Sequence, residues 1–357
     1  MKKIVTIIGA RPQFIKAAAV SRVIRKTDGI KEILVHTGQH FDENMSSVFF
    51  QEMDIPEPDY HLEINSLSHG AMTGRMIEKI EKVLLSEKPD LVMVYGDTNS
   101  TLAGALAAKK LNIGVAHVEA GLRSFNMNMP EEINRILTDR ISDFLFCPTD
   151  TAIHNLDQEG FQHFKCMVHK VGDVMYDAAL YYGTLSSQRS DIMNRLRITP
   201  GDYILCTIHR QENTDNLERL KSIIITLNRI HREKAIVLPL HPRTRKILAR
   251  NNIPTEFEPI EPVGYFDIVE LLKHCNMVIT DSGGMQKEAY FFSKYCITVR
   301  TETEWTELVN HHYNYLAGTD GDTILRYYQL LQSKEFKNIH HFYGSGDAGQ
   351  KIVSLIV

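Results

Sequence analysis

The sequence predicts an α/β protein built of two doubly wound, Rossmann-type domains. Three observations predict it. At 357 residues the chain exceeds what one hydrophobic core usually organises, so two domains of about 170 residues each are expected. Short apolar runs alternate with longer amphipathic stretches from end to end, the pattern of repeated βαβ units joined by right-handed crossovers. The runs are nearly continuous in Val, Ile and Leu, as parallel strands covered on both faces require.

In the first half, strands are expected at 3–9, 31–38, 90–97, 114–120 and 144–149, with helices over "FIKAAAVSRVIRK" and "STLAGALAAKKL". The segment "MPEEINRILTDR" adds a further helix, with Pro130 at its start and Glu131 and Glu132 in a first turn that favours acidic residues. The second half repeats the scheme, with strands at 202–209, 235–242, 255–260, 277–282 and 296–300 and helices at 216–232, 243–251, 267–274 and 285–293. Strand patterning lapses over 172–200, where "TLSSQRS" is polar, so the domains are expected at 1–172 and 173–344. Two such halves place a cleft between them, and ligands bind outside the carboxyl ends of parallel strands.

Composition excludes several functions. A formal net charge of -4 gives no basic field for nucleic acid. No run approaches the roughly 18 apolar residues of a membrane span, and "MKKIVTIIGARPQF" has no small-residue cleavage site after its apolar run, so a cytoplasmic protein is expected. The five cysteines are widely spaced and read as free thiols, and without CxxC or HExxH a zinc site has little support.

Polar groups converge at the strand ends. The first half offers Arg11 and Lys16, then Asp97, then Glu119; the second offers His209 and Arg210, then His241, then Asp281-Ser282-Gly283-Gly284. In "MVITDSGGMQKEA" a strand leads through Ser-Gly-Gly into a helix, whose exposed N–H groups and dipole suit an anion. Glu288, one turn further in, is placed to accept ribose hydroxyls; the plain alternative is a turn with Asp281 or Ser282 as N-cap. Asp97 has a sufficient structural role as a helix N-cap, and Glu119 can pair with Arg123. Neither a GxGxxG after the first strand nor a Walker pattern is present, which disfavours a dinucleotide held in the NAD manner. Carboxylates on one wall and a diphosphate cradle on the other suit a nucleotide sugar, with a carboxylate removing a ring proton as diphosphate departs.

The motifs "GARPQFIKAAAV", "TGQH", "VYGDTNSTLAGALAA", "HVEAGLRS", "PEEINRILTDRISDFLFCPT", "IHRQEN", "LPLHPRTR" and "DSGGMQKEA" occur in this order over roughly residues 1–320. Together they resemble the non-hydrolysing UDP-N-acetylglucosamine 2-epimerase family. The resemblance implies a GT-B-like fold with the active site in the interdomain cleft, a C-terminal helix (345–357) returning to the first domain, a homodimer, and no nicotinamide or metal requirement. It implies that Asp97, Glu119 and Glu131 are the catalytic carboxylates and His209 a catalytic or leaving-group partner. It further implies that Arg11, Lys16, Arg135, Arg210, His241, Ser282, Gly283, Gly284 and Glu288 bind substrate and UDP.

The chain departs from the regulated bacterial members of that family. They carry an Arg-Pro-Gly-Gln-like stretch where this chain has "EINSLSHGAMTG", so their activating second UDP-sugar site is not expected here. Trp305 replaces an arginine, Tyr315 stands where an arginine contacts the nucleotide, and Ile268 stands where an aromatic residue faces uracil, leaving Tyr265 or Phe266 to substitute. These features look more like the branch that epimerises UDP-2,3-diacetamido-2,3-dideoxyglucuronate for surface polysaccharides such as lipopolysaccharide. UDP-N-acetylglucosamine itself is the alternative substrate. A GT-B glycosyltransferase, a hydrolysing epimerase and a nucleotide-sugar sensor are the rival classes.

Overall fold

A computed structural model of the chain describes residues 1–39 and 57–357, and of Arg11 the backbone alone. The chain divides into two compact units, Met1–Ala178 with His341–Val357, and Ala179–His340. Each holds one fully parallel sheet.

The first unit contains β1 (Lys2–Ile8), α1 (Arg11–Ile24), β2 (Ile30–His36), β3 (Tyr60–His61), α2 (His69–Glu87), β4 (Leu91–Tyr95), α3 (Asn99–Lys110) and β5 (Gly114–Val118). It continues through α4 (Pro130–Ile141), β6 (Phe144–Cys147), α5 (Asp150–Gln158) and β7 (Met167–Lys170). The seven strands lie in the order β3-β2-β1-β4-β5-β6-β7, so the winding direction reverses between β1 and β4. One face of the sheet is closed by Val5, Ile7, Ile33, Val35, Val92, Val94 and Val115 packing against Met76 and Ile80 of α2 and the alanines of α3. Those alanines allow the helix to lie close to the strands. On α1, Gly349 of the last helix approaches so closely that a Cβ would sit 3.1 Å from the Ala19 carbonyl oxygen.

Helix α6 (Val174–Arg189) begins in the first unit and ends in the second. The second unit adds α7 (Ile192–Leu196), β8 (Tyr203–Thr207), α8 (Gln211–Thr214), α9 (Leu217–His231), β9 (Ala235–Val237), α10 (Pro242–Arg250), α11 (Tyr265–His274), β10 (Val278–Thr280), α12 (Gly283–Phe291), β11 (Cys296–Thr298), α13 (Thr306–Asn310), β12 (Asn314–Leu316) and α14 (Gly321–Leu331). Its five strands run β12-β11-β10-β8-β9, with the reversal between β10 and β8. The chain ends in α15 (Ala348–Ile356), within the first unit.

Several expectations need correction. Residues 172–200, expected to lack strands, hold α6 and α7, and the boundary between the units falls within them. The run 255–260 forms only a bridge between Pro239 and Ile260. β5 stops at Val118 rather than residue 120 because Glu119 turns to φ 74°, outside the strand region. All five cysteines are free; Cys166 alone is not fully buried.

Candidate active site

In parallel sheets the crevice for ligands opens where the winding reverses, at the carboxyl ends of the two central strands. In the first unit those ends carry the loop into α1 and the turn Gly96-Asp97. Gln13, buried at the start of α1, joins them: its Oε1 accepts from the N–H groups of Gly9 (2.8 Å) and Ala10 (3.0 Å), and its Nε2 donates to the Tyr95 carbonyl at 2.7 Å.

Lys16 reaches from α1 to pair with the Glu119 carboxylate, with about a tenth of each side chain exposed. Glu119 adopts φ 74°, a left-handed conformation that costs a residue with a side chain about 1–3 kcal/mol and that persists where surroundings impose it, functional sites above all. Gly96 is a glycine for a visible reason. Its φ is +62°, and a Cβ would stand 3.1 Å from Lys16 Nζ and 3.2 Å from Glu119 Oε2.

Helix α4 supplies the other partners. Arg135 donates to Asp97 Oδ2 at 2.6 Å and to Glu132 Oε2 at 2.7 Å, and Asn134 donates to the Asp97 carbonyl at 2.9 Å. The buried Glu132 carboxylate also accepts the N–H groups of Ser124 (2.9 Å) and Phe125 (2.8 Å), which fixes the loop between Glu119 and Glu131. Burial opposes its charge, but those donors and Arg135 outweigh burial and hold the Glu132 carboxyl below its usual range. For Arg135, burial works against the cation, while Asp97 and Glu132 raise its pKa overall. Glu131 is exposed in the first turn of α4.

In the second unit the reversal lies between β8 and β10. The fully buried Asp281 accepts from the N–H groups of His209 and Arg210 and from Asn213 Nδ2, each at 3.1 Å. His209 Nδ1 is 3.3 Å from Asp281 Oδ1, while more than half of the imidazole side chain is exposed. Ser282 caps α12 by accepting from the Met285 N–H at 3.3 Å. A Cβ on Gly283 would meet Glu304 Oε1 at 2.2 Å and lie 3.8 Å from Arg210 Nη2, so a larger residue at the helix start would have to displace the Glu304 side chain. Trp305 donates its indole N–H to the Gly283 carbonyl at 2.8 Å and its ring lies 4.2 Å from Lys287 Nζ.

The UDP-N-acetylglucosamine 2-epimerase profile matches residues 22–357. The chain belongs to the UDP-N-acetylglucosamine 2-epimerase family. Its members are isomerases. The chain is 53% identical to the UDP-2,3-diacetamido-2,3-dideoxy-D-glucuronate 2-epimerase of Pseudomonas aeruginosa over 355 residues, covering 99% of each. It matches the crystal structure of Methanocaldococcus jannaschii UDP-GlcNAc 2-epimerase in complex with UDP-GlcNAc and UDP with a TM-score of 0.86 and 42% identity, over 100% of this chain and 99% of that one. The Neisseria meningitidis UDP-GlcNAc 2-epimerase structure bound to UDP-GlcNAc gives a TM-score of 0.86 at 30% identity, over 99% of each chain. The two-sheet α/β architecture is thus of the GT-B-like class of these epimerases.

Within this epimerase the first unit gathers Lys16, Asp97, Glu119 and Arg135, with Glu131 on the helix that carries Arg135. The second gathers His209, Arg210, Ser282 and Gly283 around Asp281. Gly284 is exposed at the start of α12, and Glu288 is half-buried one turn on. His241 caps α10, its Nδ1 accepting from the Arg243 N–H at 3.2 Å. The Arg11 side chain lies outside the described part of the structure, as does His40 of "TGQH".

Two structural readings change. Thr98, not Asp97, caps α3, because Asp97 is turned toward Arg135. Arg123 pairs with Asp139 and Glu159 rather than Glu119. Tyr265 and Phe266 both pack edge-on against Tyr182. Sequence reasoning missed Gln13, Glu132 and Asn134 as organisers of these loops. Asp281, named there as a strand-end residue and possible N-cap, instead holds the N–H groups of His209 and Arg210.

Proposed function

We propose that the chain interconverts the C2 epimers of a UDP-2-acetamido sugar, with UDP-2,3-diacetamido-2,3-dideoxyglucuronate and its manno isomer as the substrate pair. The observation that carries the chemistry is the Glu119 carboxylate set against Gly96, the residue before Asp97, at the first unit's winding reversal, with Glu131 on the helix whose Arg135 holds Asp97 and an anion-suited helix start at the second unit's reversal. The identity of 53% over nearly the whole length of the Pseudomonas aeruginosa enzyme supports the choice of sugar.

A C2 proton beside an acetamido group has no adjacent carbonyl to acidify it, so simple deprotonation is unfavourable. In the reaction proposed, one carboxylate takes the C2 proton as the C1–O bond breaks and its electron pair leaves with UDP. A C1–C2 double bond remains in a 2-acetamidoglycal. A carboxylic acid on the other face then delivers a proton to C2, and the UDP oxygen adds back to C1. Asp97, Glu119 and Glu131 supply these proton transfers, and Arg135 orients Asp97. Arg11, Lys16, Arg210, His241, Ser282, Gly283 and Gly284 hold the substrate and UDP, His209 faces the departing diphosphate, and Glu288 takes the ribose hydroxyls. No nicotinamide or metal enters these steps.

The reading extends to a cytoplasmic homodimer that supplies an activated sugar for a surface polysaccharide such as lipopolysaccharide. Among the described residues no helix is long and apolar enough to cross a membrane. An outward apolar face on α4, with Ile133 39% and Leu137 47% exposed, supports self-association. Turnover of UDP-2,3-diacetamido-2,3-dideoxyglucuronate and UDP-N-acetylglucosamine, compared side by side, tests the substrate. A kcat/KM at least about tenfold higher for the diacetamido uronate is expected, and equal or reversed values would contradict it.

A further inference from the structure

His117, a buried histidine of β5, lies between the two loops that bear Asp97 and Glu119 and takes no part in the proton transfers just described. Its Nε2 is 2.7 Å from the carbonyl oxygen of Gly96, and its Nδ1 is 2.7 Å from Asp139 Oδ1. A carbonyl oxygen only accepts, so Nε2 donates. Asp139 accepts as well: burial alone would raise its carboxyl, but His117 and Arg123 outweigh burial and hold it below the usual carboxylate range. Both ring nitrogens are thus engaged, Nε2 by the Gly96 carbonyl and Nδ1 by Asp139.

The other oxygen of Asp139 accepts from the Gly121 N–H at 3.1 Å and from Arg123 Nη1 at 2.7 Å, and Arg123 in turn forks onto both oxygens of Glu159 at 2.6 and 2.9 Å. One end of the network thus holds the residue before Asp97, and the other holds the turn that follows Glu119. Gly96 links them directly, because the Glu119 carboxylate and Lys16 Nζ lie within about 3.2 Å of where its Cβ would project.

We propose that His117 is a positioning residue for the C2 chemistry, setting the separation of the Asp97 and Glu119 carboxylates through the Gly96 carbonyl and Asp139 while touching no substrate atom. The proposal rests on the acid/base reading of Asp97 and Glu119. A misplacement of about 1 Å in a catalytic group costs about 10²-fold in rate, so a network this far from the reacting carbon has kinetic leverage.

Two variants divide its contacts. His117→Gln keeps an amide that can donate toward Gly96 and gives up Asp139; His117→Asn keeps the short reach to Asp139 and gives up Gly96. With UDP-2,3-diacetamido-2,3-dideoxyglucuronate in D2O, kcat and deuterium entry at C2 are expected to fall about 10²-fold in both. KM and the affinity for UDP alone are expected to change less than about threefold. Wild-type exchange in both variants would overturn the proposal. So would loss of UDP affinity in step with turnover, which would mean that the ring holds the fold rather than the catalytic spacing. Nitrogen-15 NMR of the intact wild-type protein gives a readout independent of any variant: a protonated Nε2 on His117 is expected, and a bare Nε2 would contradict the network. If the wild type itself places no deuterium at C2, the acid/base reading fails first, and that result is distinct from the others.

Discussion

Glu119 carries an ion pair and an unfavourable backbone conformation at one position. Lys16 answers its charge, and the turn at φ 74° places its carboxylate against Gly96 beside Asp97. Glu119→Gln and Asp97→Asn preserve shape and remove the acid/base function. Each is expected to lower C2 exchange by about 10²–10⁴-fold while sparing UDP affinity, measured by calorimetry. Retained exchange in both would remove their roles. Glu288→Ala is expected to raise KM by about tenfold with a smaller effect on kcat, as loss of a ground-state ribose contact does; an unchanged KM would count against that assignment. Asp97 and Glu119 were legible as polar residues ending apolar runs, and Glu131 only as an acidic residue in a helix's first turn. Their partners were not, because Lys16 and Glu119 are 103 residues apart and only the strand order brings them together.

Helix α4 shows why pattern reading misleads at an active site. Its apolar Ile133 and Leu137 face outward, while Glu132, Asn134, Thr138 and Asp139 are buried. The inward face is polar because loops bearing Asp97, Ser124 and Gly121 need donors and acceptors from it. If the outward face joins two copies, the Ile133→Lys, Leu137→Lys double variant will sediment as a monomer where the wild type sediments as a dimer. A variant that remains dimeric would exclude this face.

The last helix carries a pH dependence of its own. Asp177 accepts the N–H groups of Ala348 and Gly349 at the start of α15, and burial, reinforced by Asp173 and Asp347, pushes its carboxyl up to about 6. Because the folded state favours the protonated form, this group's contribution is full below about pH 4 and is lost as pH rises toward about 6, on the order of 2–3 kcal/mol. Thermal unfolding from pH 4 to 8 should show that loss in the wild type and a flatter profile in Asp177→Asn. Parallel profiles would contradict the shift.

Across the whole molecule, both candidate sites fall where the winding of a parallel sheet reverses, β1/β4 in one unit and β10/β8 in the other. Alternating apolar and amphipathic runs made two such sheets legible. The two-residue β3 and the edge strands β7 and β12 escaped notice because their runs are short or less apolar. The helical stretch that joins the units was read as a linker because its polar and small residues lack strand periodicity. Family motifs supplied the reaction, which no spacing of carboxylates would specify alone.

The proposed epimerisation turns on proton exchange at C2 coupled to departure of UDP. The direct measurement is proton NMR of the wild-type protein with UDP-2,3-diacetamido-2,3-dideoxyglucuronate in D2O. The expected result is loss of the C2 proton signal from both epimers as they equilibrate. Epimers that form with the C2 proton retained, or a substrate left unchanged until a sugar acceptor is added, would contradict it.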